Sequence, residues 1–579
     1  CAGDIYVHSA KAIASKPSTT KLELKHTILY KALSNFSNAI MESLGSEASN
    51  TVKVTTCSAP AETWLSDASS YDFVGSLLTD SCWVFPTSND RMEMLSALAK
   101  ISPWTLAREP YNLASFCEVC AVQCKSQNDV SRVQGLKLIE SFILGRKTFL
   151  ADCTSNITVF SVIHESFCPL LHVALEDHSA AVRACAVSSF GSLLKRDWIG
   201  LFLLDADSVK ASPIDWTHLE SILRLCSANE EKIASVRASS CKAIGDLCTA
   251  CIGHTLCEKE DGTNHDATFS YDFVLSFTCK ICEVMVNALT DEVASVRSMA
   301  LFAIGNIALA LKECFRERSA PPFPPMKQLF PSVCDCLGDK DEKVAANAIR
   351  SISHTAYFVY RPEYVSEIEV GASTEMYMCG ALLSKLSAKI QFALDDAVGE
   401  SPRGLTWKQR NGAKKHAWGS CTTLGMLLSY SNLLPYLDDS LLESALSSLF
   451  RCIQLSYVIN EKITAAATNA LAGLPIALWQ HLSCKCDSIG RGLATCFGFL
   501  NKRNSSTPYY HDVQSLANLL LVHAKKKDFC NLFLIQESVP FSVEYFYQWL
   551  VTHDIKADVL EEIADAASSR SVAQILDIS

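Results

Sequence analysis

Residues 294–306 read Ala-Ser-Val-Arg-Ser-Met-Ala-Leu-Phe-Ala-Ile-Gly-Asn, and their apolar side chains recur with the period of an α-helix. Positions i, i+3, i+4 and i+7 share one face of a helix. The pattern runs on past this stretch as one stripe, made of Val296, Met299, Ala300, Ala303, Ile304, Ile307, Ala308 and Leu311. Leu301 and Phe302 widen the apolar surface, so we expect neighbouring elements to cover this helix on more than one side.

The helix belongs to a motif that recurs along the chain. In each copy an acidic residue is followed six positions later by Arg, which comes directly after Val, and eight positions after the Arg stands a Gly. The spacing is the same in three copies: Asp177, Arg183 and Gly191; Glu231, Arg237 and Gly245; Asp291, Arg297 and Gly305. A chance match in three places is improbable, so the motif indicates an internal repeat.

Weaker copies surround these three. Asp339 and Val344 are in register, but Ala345 replaces the Arg and Ser353 replaces the Gly. We place further copies at Trp418, Cys421 and Gly425, at Ile463 to Gly473, and, in degenerate form, at Asp129 to Arg132.

A second helical segment precedes each clear copy and the first of the weaker ones. These segments are Pro169 to Leu175, Leu219 to Cys226, Ile281 to Leu289 and Leu329 to Leu337. Each unit is therefore predicted to be a helix, a short acidic turn and another helix. A single unit cannot bury its apolar stripe, but stacked units can, which predicts an all-α solenoid.

The acid and the Arg have a structural explanation. A carboxylate near the start of the second helix accepts backbone N–H groups and opposes the helix dipole. The Arg can reach the acid of its own turn or of a neighbouring one, which predicts a ladder of charge-assisted hydrogen bonds. We assign this structural ladder to Asp177, Arg183, Glu231, Arg237, Asp291, Arg297 and Asp339.

The pattern of Asp, Val-Arg and a late Gly resembles the HEAT repeat. The succession of 294–306, 339–350, 418–425 and 460–464 resembles the C-terminal part of the HEAT-repeat-containing protein 6 family, over roughly residues 130–475. The resemblance implies a right-handed α-solenoid of the armadillo-like helical superfamily and brings no catalytic residue with it. The family has Val-Arg before Trp418 and a basic residue at Thr464, and both basic residues are missing here.

Length and composition narrow the class of protein. A chain of 579 residues exceeds one compact core and needs several domains or a repeat array. The net charge of −11 argues against nucleic acid as a partner. The 26 cysteines are scattered through apolar patterns, which indicates reduced thiols in an intracellular protein, cytoplasmic or nuclear. The chain starts at Cys1 without Met, so we expect a fragment or a processed product.

We expect three regions: degenerate helical repeats over 1–128, the HEAT array with loop insertions over 129–500, and C-terminal helices that cap the solenoid over 501–579. Val398 to Gly412 reads as a polar insertion loop, and Ala320 to Pro325 as a stiff connector. The apolar stretch from Ala300 to Leu311 is too short to span a bilayer, so no membrane association is expected.

Four metal-ligating residues stand close together: Cys248, Cys251, His254 and Cys257. Such a set can hold zinc in a tetrahedral site. However, Cys248 and Cys251 continue a helical apolar stripe, and one helix cannot wrap four ligands at this spacing around one ion. We therefore favour packing over metal and expect no cofactor.

A basic cluster lies beside an aromatic residue: Trp407, Lys408, Arg410, Lys414 and Lys415. It can contact phosphate or an acidic partner, and the competing interpretation is a solvated loop. We find no phosphate-binding loop, His-Glu-x-x-His motif or nucleophile elbow.

These observations predict a protein that is not an enzyme and that serves as a scaffold or adaptor for other proteins, with the solenoid surface as the binding surface. The alternative is a transport-receptor-like carrier that binds cargo or a small GTPase. A zinc-dependent protein is the third and weakest hypothesis.

Overall fold

The computed structural model describes fifteen segments of the chain. They are residues 22–23, 83–84, 117–118, 120–149, 162–193, 197–198, 217–252, 271–314, 324–360, 372–399, 405–430, 433, 437–455, 459–475 and 478. The predicted C-terminal cap and nearly all of the predicted region 1–128 lie outside these residues. The chain divides into two compact units, one ending at Glu317 and one starting at Arg318. The predicted three-part division stays a prediction.

The described part of the first unit is helical, except for a parallel bridge between two-residue strands, β1 (Leu22–Glu23) and β2 (Trp83–Val84). Helix α2 follows directly on a π-helical turn, Val162–Phe167. The helices are α1 (Asp129–Phe149), α2 (Cys168–Leu175), α3 (Ala180–Gly191), α4 (Thr217–Arg224), α5 (Ala234–Ile252), α6 (Tyr271–Leu289) and α7 (Ala294–Cys314).

The second unit continues the helix pairs. A 3-10 turn, Cys336–Gly338, extends α8. The helices are α8 (Pro324–Asp335), α9 (Glu342–Thr355), α10 (Tyr357–Tyr360), α11 (Ala372–Val398), α12 (Trp407–Leu428), α13 (Asp439–Gln454) and α14 (Glu461–Ala472). Helix α8 begins at Pro324, where a missing N–H costs nothing, so the proline-rich connector is shorter than predicted.

Within each unit, equivalent helices of successive pairs pack against one another. The second helices form one layer, in which α1, α3, α5 and α7 stack in order in the first unit, and α9, α12 and α14 stack in order in the second. First helices also meet, as α2 and α4 do and as α11 and α13 do. The fold is therefore all-α and consists of stacked HEAT-type helix pairs, as predicted, while its right-handedness stays a prediction.

Helix α7 is covered on more than one side, as its sequence predicts. Val296, Ala300, Leu301 and Ile304 are all fully buried, and α5 and α6 both pack against the helix. The helix runs on from the apolar stretch in both directions, so the prediction that the segment is too short for a bilayer was wrong. Among the described helices it is the one whose length and composition would allow a membrane span, but most of that span is buried inside the protein.

The repeated spacing of the motif arises from close contacts between helices. A Cβ added at Gly191 would lie 2.8 Å from Cα of Ala243, and one added at Gly245 would lie 2.7 Å from Cα of Ala303. Each Ala stands two positions before the Gly position of its own copy. The second helices thus approach closely enough for backbone contact, which only Gly permits.

The same register persists where the motif is degenerate. A Cβ at Gly425 on α12 would lie 2.6 Å from Cα of Ala470 on α14, although no Arg ladder links these helices. Where the earlier of two stacked second helices lacks this Gly, the residue of the next helix that faces the position carries a hydroxyl group. Ser189 donates to the carbonyl oxygen of Leu136, at 3.5 Å, and Thr423 donates to that of Ile349, at 3.2 Å. Helix stacking therefore follows one spacing through both units.

Candidate functional site

The ladder is a set of ion pairs between consecutive repeats of the first unit. Each Arg donates through Nε and Nη2 to the two oxygens of the acid that precedes the next second helix. The paired distances are 2.7 and 2.9 Å for Arg132 with Asp177, 2.7 and 2.9 Å for Arg183 with Glu231, and 2.8 and 3.0 Å for Arg237 with Asp291. The Arg therefore bridges to the neighbouring repeat and does not pair with the acid of its own turn.

Each Arg is also fixed to its own turn. Nη1 of Arg237 donates to the carbonyl oxygens of Glu231 and Lys232, both at 3.0 Å. Nη1 of Arg297 donates in the same way to Asp291 and Glu292, at 2.7 and 3.0 Å. The guanidinium therefore satisfies two turn carbonyls and one carboxylate with a single planar group, which lysine could not do.

The acids are held by backbone amides as well. Oδ1 of Asp291 accepts from the N–H of Val293 at 2.8 Å, and Oε1 of Glu231 accepts from the N–H of Ile233 at 2.8 Å. Burial raises the pKa of these carboxyls, but the hydrogen bonds from the Arg and the amide outweigh it. The pKa values of Asp291, Glu231 and Asp177 therefore lie below their ordinary range.

Arg132 is a member of the ladder that the sequence showed only as a degenerate copy. The acid position of its copy is occupied by Ser126, and not by Asp129. Ser126 still performs one function of the acid, because its Oγ accepts from the N–H of Asn128 at 3.2 Å. The spacing of six residues between Ser126 and Arg132 was the signal that could have found this register.

The Arg ladder is absent from the described part of the second unit, because Ala345 stands where Arg would be. Oδ1 of Asp339 accepts from the N–H of Asp341, at 2.8 Å, and so keeps the turn. At the next copy, His416 lies against α9 and its Nε2 is 2.8 Å from the carbonyl oxygen of Glu342. Burial and the nearby ammonium of Lys389 outweigh this contact and hold the pKa of His416 below its ordinary value.

The predicted basic cluster lies on helix α12 and not in a loop, which corrects the predicted insertion over Val398 to Gly412. The helix begins at Trp407 because Thr406 and Gln409 form a capping box, in which Thr406 Oγ1 accepts from the N–H of Gln409 at 3.3 Å. The insertion therefore ends before residue 407.

The side chains of this cluster are exposed. Trp407 is 80% exposed, and Lys408, Arg410, Lys414 and Lys415 are exposed too. The 22 residues of α12 include four basic residues and no Asp or Glu. Arg410 lies 3.7 Å from Asp396, whereas in the described part of the chain no carboxylate pairs with the three lysines. This helix therefore carries unneutralised positive charge in an acidic protein.

A second exposed tryptophan extends the cluster. Trp407, Lys414 and Trp418 are spaced by about two and three helical turns, so they share one side of α12. Trp418 is 51% exposed, which sequence reasoning missed because it treated Trp418 only as a marker of the repeat. We call Trp407, Lys408, Lys414, Lys415 and Trp418 the α12 face.

The α12 face leads into a groove of about 700 Å³ between α12 and α14. Trp418 and Met426 line it from α12, and Lys462 and Asn469 line it from α14. Gly425 and Ala470 also line it, and their small size lets the two helices approach closely. The groove thus combines a small, apolar lining with an aromatic side chain and an ammonium group.

The candidate zinc ligands are only partly described. Cys248 is fully buried in α5, and Cys251 is part of the same helix, while His254 and Cys257 lie outside the described residues. In the described segments, no three His, Cys, Asp or Glu side chains come together as a metal site would require. The cysteines described there are free thiols.

Comparison with known proteins gives no relative by sequence. No family model matches the chain. No curated protein matches it either.

Several solved structures are similar in backbone course. Kap121p bound to RanGTP shares 12% identity over 97% of this chain and 54% of its own, with a TM-score of 0.41. Importin beta in a polyethylene glycol condition shares 12% identity over 98% and 72%, with a TM-score of 0.47. Kap95p, described with RanGDP, shares 10% identity over 97% and 72%, with a TM-score of 0.37. The chain spans about half the length of Kap121p, and these likenesses assign no partner to it.

Proposed function

We propose that the protein is a non-catalytic scaffold or adaptor that binds other proteins through exposed side chains of its second helices. The observation that carries this proposal is the α12 face, which exposes two tryptophans and three lysines without neutralising carboxylates among the described residues. Aromatic residues are enriched where proteins meet, and exposing them without a partner is unfavourable.

The ladder serves a different purpose under this proposal. Its Arg side chains are almost entirely engaged by carboxylates and turn carbonyls, and Arg237 and Asp291 are both buried. They hold the repeats together and are not available to a partner. A partner therefore binds to the surface of the helices that remains exposed after the repeats have stacked.

The carrier hypothesis is the second candidate. Kap121p is described in complex with RanGTP, and a carrier of that kind would bind a small GTPase or cargo. The positive charge of α12 favours acidic partners over basic ones. We therefore place the scaffold hypothesis first and treat GTPase binding as a separate outcome of the test.

The proposal also includes a protein family and a cellular location. The residues at 294–306, 339–350 and 418–425 favour the HEAT-repeat-containing protein 6 family. The free thiols of the described cysteines support an intracellular location, cytoplasmic or nuclear. We propose that the partners are proteins, and that neither membranes nor nucleic acids are bound.

Affinity capture from source cells with quantitative mass spectrometry tests this proposal. The bait is the intact chain, compared with a variant in which Lys414 and Lys415 are changed to Glu and Trp407 and Trp418 to Ser. The control changes Lys125 and Lys137, exposed lysines of the first unit, to Glu. We expect a small set of proteins that the control retains and the variant loses. Capture of the same proteins by all three baits would refute binding at α12, and a guanine-nucleotide-dependent GTPase among them would favour the carrier.

A further inference from the structure

The groove between α12 and α14 and the α12 face form one continuous surface, since Trp418 belongs to both. From this geometry we infer that the surface binds an acidic peptide segment of a partner protein, with a bulky apolar side chain of that segment seated in the groove. This inference rests on the proposed function and specifies the class of partner.

The size and lining of the groove favour a side chain as its occupant. Gly425 and Ala470 add little or no side chain to its lining, while Trp418 and Met426 rise on one side and Lys462 on the other. A volume of about 700 Å³ has room for an aromatic or long aliphatic side chain together with part of its backbone. A half-exposed tryptophan beside such a space provides the flat apolar surface on which that side chain can pack.

The charges around the groove favour carboxylates on the segment. Lys414 and Lys415 stand about one turn before Trp418 on α12, and Lys462 stands on the opposite side of the groove. Lys389 on α11 adds to the positive potential near α12, since its charge helps to lower the pKa of His416 on α12. Three described acids lie nearby: Asp396 pairs with Arg410, Glu342 packs beside Gly412, and Glu461 directly precedes Lys462 and offsets part of its charge.

Trp407 sets the length of the segment. It lies about 16 Å from Trp418 along the helix, which is the reach of about five residues of extended chain. A segment of this length can place an apolar anchor in the groove, two or three carboxylates over Lys414 and Lys415, and a further side chain against Trp407. Charge contacts then steer the encounter and fix the orientation, while the anchor provides most of the affinity.

Fluorescence anisotropy with the full chain tests the inference. The probe is a labelled peptide, Asp-Glu-Phe-Asp-Glu-Asp-Glu-Leu-Asp, in which Phe and Leu stand five residues apart. It is compared with the same peptide in which Phe and Leu are replaced by Ser, and with a short single strand of thymidine nucleotides. We expect the first probe to bind in a salt-dependent manner, and the Ser peptide to bind at least about thirtyfold more weakly, the loss typical of removing an anchor side chain.

Variants locate the site. Trp418→Ser removes the aromatic lining and Thr422→Trp fills the groove without a change of charge, and each should weaken binding by about thirtyfold. Lys414→Glu with Lys415→Glu should abolish binding, whereas Lys125→Glu with Lys137→Glu should leave it unchanged. Circular dichroism confirms that each variant folds, and Thr422→Trp provides an independent test if Trp418→Ser does not fold.

Three results would overturn the inference. Equal binding of the Phe and Ser peptides would show that charge alone is recognised, and equal binding of the thymidine strand would point to nucleic acid. If the peptide fails but affinity capture still yields proteins lost on changing α12, the scaffold function stands and only this partner class is wrong. If affinity capture also yields no protein that is lost on changing α12, both the proposed scaffold function and this inference are wrong.

Discussion

Arg237 on α5 and Asp291, just before α7, are joined by two parallel hydrogen bonds of 2.8 and 3.0 Å, and both side chains are more than nine-tenths buried. Nη1 of Arg237 donates to the carbonyl oxygens of Glu231 and Lys232, so all three nitrogens of the guanidinium make hydrogen bonds. Breaking such a pair leaves a charge without compensation in a dry interface, which costs more than the pair itself contributes.

Changing Arg237 to Met should therefore lower the free energy of unfolding by about 3–5 kcal/mol, because Asp291 is left buried and unpaired. Urea unfolding followed by circular dichroism measures the change. The double variant Arg237→Met with Asp291→Leu should recover most of the loss. Arg224→Ala, which breaks an exposed pair with Glu176, should cost less than about 1 kcal/mol. A double variant no more stable than the single one would contradict this account.

Gly245 should be intolerant of even the smallest side chain. Changing it to Ala places a Cβ 2.7 Å from Cα of Ala303, so α5 and α7 must separate. We expect a loss of about 1–3 kcal/mol from overpacking, although Ala favours helices by about 1 kcal/mol. Adding Ala303→Gly should restore stability. Gly338→Ala is the matched control, since a Cβ there meets nothing within 4 Å.

Acid should loosen the first unit through the ladder. The pKa values of Asp177, Glu231 and Asp291 are lowered in the folded state, so the unfolded chain binds more protons as pH falls. The stabilisation that these carboxylates provide is fully present above their pKa values in the unfolded chain, about 4. It is lost as the pH falls through their lower pKa values in the folded protein. The protection factors of amides around residue 291, obtained from hydrogen exchange after division by the intrinsic rate at each pH, should fall over that range. The double variant Arg237→Met with Asp291→Leu should show a shallower pH dependence, and an unchanged slope would exclude the ladder as the cause.

Buried thiols should resist alkylation in the folded protein. Burial raises the pKa of Cys379 to about 12, and Cys421 and Cys452 lie with their Sγ atoms 3.8 Å apart in the core. Iodoacetamide labelling with mass spectrometry should leave all three unmodified until urea unfolds the second unit. Cys279, which is only half-buried, should react sooner. Early labelling of Cys421 would mean that α12 and α13 separate readily.

Purified protein should contain no stoichiometric zinc, because Cys248 is already used in the packing of α5. Elemental analysis after extensive dialysis measures the metal content. One zinc per chain that disappears in Cys257→Ser would revive the metal hypothesis. Zinc retained in that variant would have to be bound by other residues of the chain.

The helices could be predicted because their periodicity is local. The stripe from Val296 to Leu311 fixes the register of α7, and the six-residue spacing from acid to Arg fixes the turn before it. The partner of each Arg was harder to predict. Sequence spacing left the acid of the same turn and that of a neighbour open, and only the stacking distance between helices decides between them.

The candidate site was predictable only in part. The basic residues of α12 were visible as a cluster, but the polar composition before Trp407 suggested a loop and concealed the capping box at Thr406. The groove could not be predicted, because Trp418 and Lys462 come from different repeats and meet only through the close contact of Gly425 with Ala470.

The end of the Arg ladder at Ala345 gives the two units different mechanical behaviour. In the first unit, a pulling force must break a dry, two-point ionic clamp each time one repeat is peeled from the next. In the second, the described second helices meet through apolar contacts, the hydroxyl group of Thr423 and the contact of His416 with the carbonyl oxygen of Glu342. A half-exposed pair of Arg451 and Asp395 joins α13 and α11. We therefore expect the described helices of the first unit to separate abruptly and only at high force, and those of the second to yield more gradually. The more yielding helices carry the surface that we expect to adapt to a partner.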